Sequence, residues 1–383
     1  MAETRILLLS NRDSQANLDE PPPFPRLDDE DLEKPNDSDG VARVAHILTR
    51  TLASAPGVRV VHRPVLRPSE VLAAIGDHRP NLVFNLCESL SDDSRLEVTA
   101  AWLLQRLALS FTGSPYLALR YCLFKVEASQ ILARAGVRVP ATVRVHSPDH
   151  IPRMSFPVIV KPEREDGSKG ITCRSVVHNH TRLRDQVAEV IETCKQPAVV
   201  QRYIHGREFA VSLLGWPTPQ VMPLGEILFG DLPKGYPHIL TYASKWRSDT
   251  IECIATPAAP AVLRPREVRK IAAAGRRAFE VLGLRDYGRV DVRLDDRGDP
   301  YVIDVNPNCD LSPEGGFARA AKRAGMTYAH LIWEILRGAI RRRADGSVLF
   351  ASRGRQPRSA ALGGQAGAAC PETRLAYPIE TAS

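Results

Sequence analysis

Four side chains near the carboxyl end have the types and spacing of a metal and phosphate site. They lie in YGRVDVRLDDRGDPYVIDVNPN at 287–308, where alternating apolar and polar residues flank an Asp- and Gly-rich turn and predict a β-hairpin. Arg289 and Asp291 share a face of the first strand, and Asp304 and Asn306 share a face of the second. Their oxygens suit Mg²⁺ held together with substrate phosphates. A surface hairpin with solvated charges is the alternative, and the hairpin alone does not decide between the two.

A second candidate is the loop Asp166-Gly167-Ser168-Lys169-Gly170, which follows Lys161 at the end of a predicted buried strand. A buried ammonium is costly unless it is paired. The glycines let backbone N–H groups approach phosphates, and Ser168 and Lys169 add donors. A polyanion such as ATP needs cations and N–H groups of this kind. An ordinary surface turn is the alternative, and this short loop alone favours it.

A third candidate is the segment QRYIHGRE at 201–208. An extended segment offers alternating N–H and C=O groups to the edge of an adenine ring, and Glu208 is placed to accept hydrogen bonds from ribose hydroxyls. The simpler interpretation is a strand, a turn at Gly206 and another strand.

Composition favours a globular protein of two or three domains, with 383 residues, 44% hydrophobic and 25% charged. The net charge of +7 invites a nucleic-acid interpretation, but the 47 residues from Arg337 hold eight Arg and three acidic residues, and the rest hold 43 basic and 41 acidic. A solvated tail explains most of the excess, so nucleic acid is not the expected partner. The amino terminus does not match a secretory signal, and no apolar run would span a membrane. Seven scattered cysteines without a CxxC pair fit a reducing compartment, so we expect a cytoplasmic protein.

Strands and helices alternate before residue 113, which predicts a parallel sheet with helices on its faces. The predicted strands are 4–10, 58–61, 82–86, 156–162, 198–203, 208–214, 221–229, 288–294 and 300–305. The predicted helices are 38–52, 69–75, 95–107, 116–135, 181–194, 264–282, 316–324 and 328–343.

In order and spacing these motifs resemble the ATP-grasp superfamily, and within it the D-alanine–D-alanine ligase-like carboxylate–amine ligases. The resemblance runs from about Asn81 to Leu336 and is carried by Lys125, VIVKPEREDGSKGI, VVQRYIHGREFAVSLLG, YASKW around Lys245, YGRVDVRL and YVIDVNPN. It implies an α/β protein, α+β in its C-terminal part, with an ATP-grasp fold preceded by a Rossmann-like N-terminal domain.

The expected domains are an N-terminal α/β domain at 1–113 with a polar loop at 11–39, a central subdomain at 114–196 with the glycine loop, and a C-terminal subdomain at 197–343 with the hairpin. Beyond 344 the chain is rich in Arg, Gly and Ala, and we expect little order there.

The resemblance also implies a role for each matching residue. Those that would bind ATP phosphates are Lys125, Lys161, Gly167, Ser168, Lys169, Gly170 and, at the γ-phosphate, Lys245. Those that would line the adenine pocket are Gln201, Arg202, Tyr203 and Ile204, with the Ile204 backbone as the hinge contact and Glu208 on the ribose. Two Mg²⁺ ions, or Mn²⁺ in their place, would be held by Asp291, Asp304 and Asn306, and Arg289 would stabilise the oxyanion of a tetrahedral intermediate.

The implied reaction is an ATP-dependent ligation of two small molecules, a carboxylate and an amine. ATP phosphorylates the carboxylate, and the amine then attacks the acyl phosphate to give an amide, ADP and phosphate. This chemistry needs positioning and charge neutralisation more than a protein nucleophile, which matches the residues. A homodimer is also consistent with the resemblance.

Several departures set this chain apart from the family pattern. Gln201 and Asp304 each stand where the family commonly has Glu. The first strand is followed by LLLSNRDSQAN rather than a GGxSxEHEVS-type signature, and CDLSPEGGF, with Gly315 and Gly316, replaces a loop that bears Thr and Ser. Both regions face the substrates, so we expect a product other than D-alanyl-D-alanine.

Two further residues near these motifs have open interpretations. Glu88 follows a predicted parallel strand, where ligands bind, and is a candidate to face the substrates. Cys309 is interpreted as a packing residue, because no His motif accompanies it. The alternative functions are a small-molecule phosphotransferase and a non-catalytic nucleotide- or nucleic-acid-binding protein that uses the Arg-rich tail.

Overall fold

A computed structural model of the protein describes residues 3–12 and 40–344. The expected polar loop, beyond Arg12, and the expected tail therefore lie outside the described residues. The strands are β1 (Thr4–Asn11), β2 (Val58–Val65), β3 (Leu82–Leu86), β4 (Thr142–Val145), β5 (Val158–Pro162), β6 (Val176–Val177), β7 (Ala198–Arg202), β8 (Arg207–Leu214), β9 (Gln220–Val221), β10 (Gly225–Ile227), β11 (Ala258–Pro260), β12 (Tyr287–Leu294) and β13 (Pro300–Asn306). The helices are α1 (Gly40–Ala53), α2 (Pro68–His78), α3 (Glu97–Arg106), α4 (Tyr116–Leu123), α5 (Lys125–Arg134), α6 (His180–Cys194), α7 (Tyr242–Trp246), α8 (Ile251–Ile254), α9 (Pro265–Val281), α10 (Gly316–Arg323) and α11 (Tyr328–Ala344).

The first sheet is parallel, as the alternation of strands and helices predicted, with strand order β2-β1-β3. The middle of its central strand β1, from Ile6 to Leu9, is apolar without interruption because both of its faces are covered. Ile6 and Leu8 belong to a core shared with α1 and α11. Leu7 and Leu9 belong to a second core shared with α2 and α3. Helix α11 comes from the far end of the described chain, so the first sheet depends on residues distant in sequence.

The second sheet, of order β4-β7-β5-β6, is antiparallel and has two different faces. Val158, Val160 and Val200 pack under α6 in one buried cluster. Because side chains alternate along a strand, Lys161 on β5 and Gln201 on β7 project from the opposite face. This sheet therefore presents polar groups on the face that α6 does not cover.

The third sheet has the order β11-β10-β8-β12-β13, with β9 paired to β8, and it contains the predicted hairpin. Helix α9 covers one face, over a core that includes Val211, Val290 and Val292. Gly275 of α9 lies so close to Val211 that a Cβ would come within 2.6 Å of its Cγ1. The helix therefore lies directly on β8, and the polar residues of the hairpin are left on the other face.

A buried ion pair joins the last helix to the end of the first α/β segment. Arg342 of α11 donates to both carboxylate oxygens of Asp286, and to the carbonyl oxygen of Phe111 at 2.8 Å. Asp286 also accepts from the Gly113 N–H at 2.9 Å, and Arg285 donates to the Gly113 carbonyl oxygen at 2.7 Å. The expected domain boundary at 113 is thus surrounded by contacts from the C-terminal region, and the division into domains stays a prediction.

Two predicted elements are interrupted in the structure. The single helix expected at 116–135 breaks at Phe124, which has an extended backbone (φ −94°, ψ 90°). The Phe124 ring lies between the guanidinium groups of Arg120 and Arg164, whose Cζ atoms are 5.3 and 5.8 Å from its centroid. The strand expected at 221–229 is split into β9 and β10, because Pro223 has no N–H to donate to a ladder.

Other differences in the elements are smaller. The helix expected at 95–107 begins as a 3₁₀ turn at Ser94–Leu96, which the Asp93 side chain caps by accepting from the Arg95 N–H. The short helices α7 and α8 were not expected, because each is too short for a helical repeat to be evident in sequence. No helix in the described part of the chain is long and apolar enough to cross a bilayer.

Gly206 lies where the segment after β7 turns against the hairpin. Its φ is +132°, and a Cβ there would lie 2.0 Å from the carbonyl oxygen of Leu294. We expect Gly206→Ala to lower the free energy of unfolding by about 3 kcal/mol, because strain and a backbone clash combine. Gly283→Ala is the matched control, since its φ is +73° but its Cβ would meet nothing within 4 Å. We expect that variant to lose about 1 kcal/mol in urea unfolding, and equal losses would contradict the assignment of a clash.

Candidate active site

The hairpin places its polar residues opposite each other. Asp291 pairs with Asp304 across the two strands, and Arg289 pairs with Asn306, with an irregularity in the register just after Asp291. Directly opposed side chains have Cβ atoms about 4.5–5.5 Å apart, so these four groups form one cluster. Within it Arg289 donates from Nε to one oxygen of Asp291 at 2.7 Å and from a terminal nitrogen to the other at 3.0 Å.

Three lysines from different elements lie around this cluster. Lys125, the first residue of α5, contacts Asp304 and Asp166 at 3.4 Å each. Lys161 donates to the Ile303 carbonyl oxygen at 3.3 Å, and Lys245 lies on α7. Burial raises the pKa of Asp304, but Lys125, Lys161, Lys245 and Arg289 outweigh it and lower that pKa to about 2. Asp304 is therefore a carboxylate at neutral pH, held in place by four cations.

The lysines differ in how well the protein compensates their charge. Burial lowers the pKa of Lys161, and burial together with Arg289 lowers the pKa of Lys245. Burial also acts against Lys125, but Asp304 and Asp166 raise its pKa overall. Lys161 and Lys245 are thus the two ammonium groups that a bound anion would stabilise most.

The chemistry of the hairpin oxygens fits Mg²⁺. No group of three or more His, Cys, Asp or Glu suited to a metal occurs in the described ranges. The candidate ligands are two carboxylates and one amide, Asp291, Asp304 and Asn306, and such hard oxygens are completed by substrate phosphates and water in magnesium sites. Asn306 is oriented by the N–H of Asn308, which donates to its Oδ1 at 3.1 Å.

The glycine loop has a left-handed backbone at three positions, a conformation that glycine adopts more easily than other residues. Gly167, Ser168 and Gly170 have φ values of 61°, 62° and 73°. A Cβ on Gly170 would lie 2.5 Å from Pro162 Cγ. The indole Nε1 of Trp246 donates to the Gly167 carbonyl oxygen at 2.8 Å, so the loop rests against α7, beside Lys245. Lys169 and Gly170 are exposed.

The segment after β7 is fixed by a residue that the sequence did not reveal. Arg293 is buried and donates to Glu208 at 2.8 and 3.0 Å, to the Ile204 carbonyl oxygen at 2.8 Å and to the His238 carbonyl oxygen. Burial disfavours its charge, but Glu208 raises its pKa overall. Glu208, expected to be free for a ribose, therefore has one oxygen committed to Arg293.

The predicted adenine-pocket residues follow the same segment in order. Gln201, Tyr203 and Ile204 are buried, whereas the Arg202 side chain is exposed. The Tyr203 hydroxyl donates to the His238 carbonyl oxygen at 3.2 Å, and its ring lies 5.0 Å from the guanidinium carbon of Arg293. Three of the four residues thus belong to the buried surface between the second and third sheets, and Arg202 does not.

A second group of polar residues lies between the end of β3 and the loop after β13. Burial of the carboxyl group, Asp310 and Asp166 raise the pKa of Glu88 to about 7. The rest of the residue is exposed to solvent. Asp310 accepts from the Ser312 N–H and hydroxyl at 2.7 Å each. A Cβ on Gly315 would lie 2.5 Å from Asp310, so glycine leaves room for that carboxylate. Gly316 begins α10 without a close neighbour.

Asn308 connects this group to the hairpin. Its Nδ2 donates to Glu97 at 2.9 Å and to the Cys87 carbonyl oxygen at 3.1 Å, and its Oδ1 accepts from the Tyr287 hydroxyl at 2.7 Å. Burial raises the pKa of Glu97 well above its usual value. Cys309 is buried and its pKa is raised to about 12, which is consistent with packing rather than nucleophilic chemistry.

Sequence reasoning missed Arg293, Asn308, Glu97 and Asp310. The available signal for Asn308 and Asp310 was their place immediately after a strand that already carried candidate ligands. Arg293 also had a signal, because it shares a strand face with Arg289 and Asp291. Glu97 had none, because it reaches Asn308 only through a long-range contact.

Solved structures of ligases share the fold of this chain. A crystal structure of D-alanine–D-alanine ligase from Bacillus anthracis, complexed with ATP, has a TM-score of 0.68 at 17% identity, over 90% of this chain and 100% of that one. VanG D-Ala:D-Ser ligase from Enterococcus faecalis has a TM-score of 0.61 at 14% identity, over 88% and 99%. The likeness confirms an α/β protein with the ATP-grasp fold.

Sequence comparison then gives the family. A model described as D-ala D-ala ligase C-terminus matches residues 141–337. A D-alanine–D-alanine ligase of Pseudothermotoga lettingae is 30% identical over 261 residues, 68% of this chain and 81% of that protein. The uncharacterized protein y4sG of Sinorhizobium fredii is 32% identical over 269 residues, 70% of this chain and 77% of that protein. The chain belongs to the D-alanine–D-alanine ligase-like branch of the ATP-grasp superfamily, a family of ATP-dependent ligases.

The raised pKa of Glu88 predicts a pH dependence of stability. The folded state holds this proton up to about pH 7, whereas the ordinary value is 4.5, so its stabilising effect is full below 4.5 and is lost as the pH rises through 7. Glu88→Gln, which is neutral throughout, should therefore gain melting temperature relative to wild type between pH 5 and pH 8. Glu88→Asp, which still titrates, is the control. A Gln-minus-wild-type difference that does not change with pH would contradict the raised pKa.

Proposed function

We propose that the protein is an ATP-dependent carboxylate–amine ligase that forms an amide through an acyl phosphate. The observation that carries the proposal is the set of four cations, Lys125, Lys161, Lys245 and Arg289, gathered from four elements around the carboxylates of one hairpin. Such an excess of buried or partly buried cations suits a polyanion.

The nucleotide would lie between the second and third sheets. Lys125, Lys161 and the glycine loop would contact its phosphates, with Lys245 towards the γ-phosphate. The Ile204 carbonyl oxygen already accepts from Arg293, so the hinge would present the Ile204 N–H to the base. Glu208 would use the oxygen that Arg293 does not occupy to accept from the ribose.

Asp291, Asp304 and Asn306 would hold two Mg²⁺ ions, with Mn²⁺ as a substitute of similar ligand preference. When bound, the ions supply positive charge to the phosphate oxygens. Asp304 is one methylene shorter than the Glu common at this position in the family. Other protein residues orient the two carboxylates. Lys125 contacts Asp304, and Arg289 donates to Asp291.

The proposed reaction has two transfers. An oxygen of the carboxylate substrate attacks the γ-phosphorus, and the bond to the ADP oxygen breaks. The amine nitrogen then attacks the acyl carbon, loses a proton, and expels phosphate with the carboxylate oxygen. Arg289 would stabilise the oxyanion formed at the acyl carbon, since its pKa is raised by Asp291 and its charge is permanent.

The substrates are small molecules that differ from those named for the relatives. The loop at 309–315 carries Asp310 and Ser312, held together by two hydrogen bonds, and it faces Glu88. A cleft with carboxylates on both sides favours a substrate that carries a positive charge. Gly315 leaves the space that Asp310 occupies. These features support a product other than D-alanyl-D-alanine.

A cytoplasmic location and a homodimer complete the proposal. The described cysteines are all free, which fits a reducing compartment. Light scattering of the purified protein decides the oligomeric state.

The acyl-phosphate route is tested with a panel of amino acids and amines and a carboxylate labelled with ¹⁸O. We expect phosphate release to depend on both substrates, and one labelled oxygen to appear in the released phosphate, because the carboxylate oxygen leaves with phosphorus. Mass spectrometry of phosphate and product measures the transfer. Label retained entirely in the product, or a phosphorylated product without condensation, would exclude ligation by this route, and the latter would indicate a phosphotransferase.

The site assignment is tested by Asp291→Asn and Arg289→Ala. Each should lower kcat about 10²–10³-fold, because a group that stabilises transition-state charge is lost, in protein that remains folded at the assay temperature. Asp296→Asn is the matched control, a carboxylate in the exposed turn of the same hairpin. Steady-state kinetics and thermal unfolding measure both properties, and near-normal turnover in both site variants would remove the assignment.

A further inference from the structure

Thr142 and Gln201 are neighbours on the face of the second sheet that carries Lys161. They are cross-strand partners on β4 and β7, and Gln201 is in turn paired with Ile159 on β5. The Gln201 side chain is buried and its Nε2 donates to Thr142 Oγ1 at 3.0 Å. Gln201 also lines a cavity together with Lys125 and Asp304. The amide therefore lies on the polar face of the second sheet, in a cavity that also reaches two of the proposed phosphate and metal residues.

The direction of the hydrogen bonds around Thr142 is fixed by its single proton. The Thr142 hydroxyl donates to the Pro140 carbonyl oxygen at 2.8 Å. Its oxygen is therefore left to accept, from Gln201 Nε2 and, at the longer distance of 3.4 Å, from the Ser129 hydroxyl. Because the nitrogen of the Gln201 amide is committed to Thr142, the amide oxygen is the end that faces away from it.

We infer that Thr142 is a positioning residue that selects the purine base by fixing which end of Gln201 the base meets. The inference rests on the proposed adenine pocket. Oε1 accepts from the 6-amino group of adenine and repels the 6-oxo group of hypoxanthine or guanine. Both oxygens of a carboxylate accept, so Glu at this position needs no such restraint. Glutamine does need one, because a 180° rotation of its side-chain amide presents the NH₂ donor to the base. The site then no longer discriminates between adenine and a 6-oxo purine.

The test compares ATP with ITP, which differ at position 6 and in the proton on N1. Dissociation constants of their non-hydrolysable analogues are measured by calorimetry with Mg²⁺ on the full chain. Wild type should prefer the ATP analogue, and Thr142→Val, similar in shape but without the hydroxyl, should reduce the preference about tenfold, as expected for one hydrogen bond. The preference should shrink without inverting, since the Ile204 N–H still opposes the N1 proton of inosine.

Two further variants separate positioning from a merely structural role. Thr142→Ser keeps the hydroxyl and should keep the wild-type preference. Thr142→Val combined with Gln201→Glu should also keep it, because the carboxylate cannot present a donor. Wild type that binds ATP without preference over ITP, or a preference in Thr142→Val within twofold of wild type, would overturn this inference alone. A wild-type protein that binds neither nucleotide would overturn the proposed function and this inference with it.

Discussion

The charge balance around Asp304 is the constraint on which the site depends. Four cations converge on a few carboxylates, and each cation comes from a different element: α5, β5, α7 and β12. Like charges at this density repel each other, and burial adds to the cost. The arrangement holds because Asp304, Asp291 and Asp166 lie between the cations. The fold therefore has to hold four separate elements so that their charged side chains meet at one place.

The hairpin and the lysine sites were predictable because their signals are local. Strand alternation places Arg289 with Asp291 and Asp304 with Asn306, and the structure pairs them across the ladder as expected. Lys161 and the loop after it adjoin one another in sequence. The break at Phe124, which makes Lys125 the first residue of a helix, was not predictable, since no Gly or Pro marks it in the sequence.

Arg293 illustrates why the rest of the site was hidden from sequence. It shares the strand face of Arg289 and Asp291, but alternation alone does not show which charged residue of that face is buried or what it pairs with. In the structure it is buried because Glu208 and two carbonyl oxygens meet it from other segments. The same contact sets the path of the chain from Ile204 to Glu208. One long-range ion pair thus determines the shape of the segment proposed to meet the base.

The position of α11 has a consequence for synthesis of the protein on the ribosome. Ile6 and Leu8 on β1 are synthesised long before the helix at 328–344 that covers part of one side of their sheet. Until α11 is made, α1 is the only one of these two helices that covers this side, and Arg342 reaches Asp286 only after α11 has left the exit tunnel. Completion of the amino-terminal core therefore waits for α11, and until then part of its apolar surface is open to aggregation.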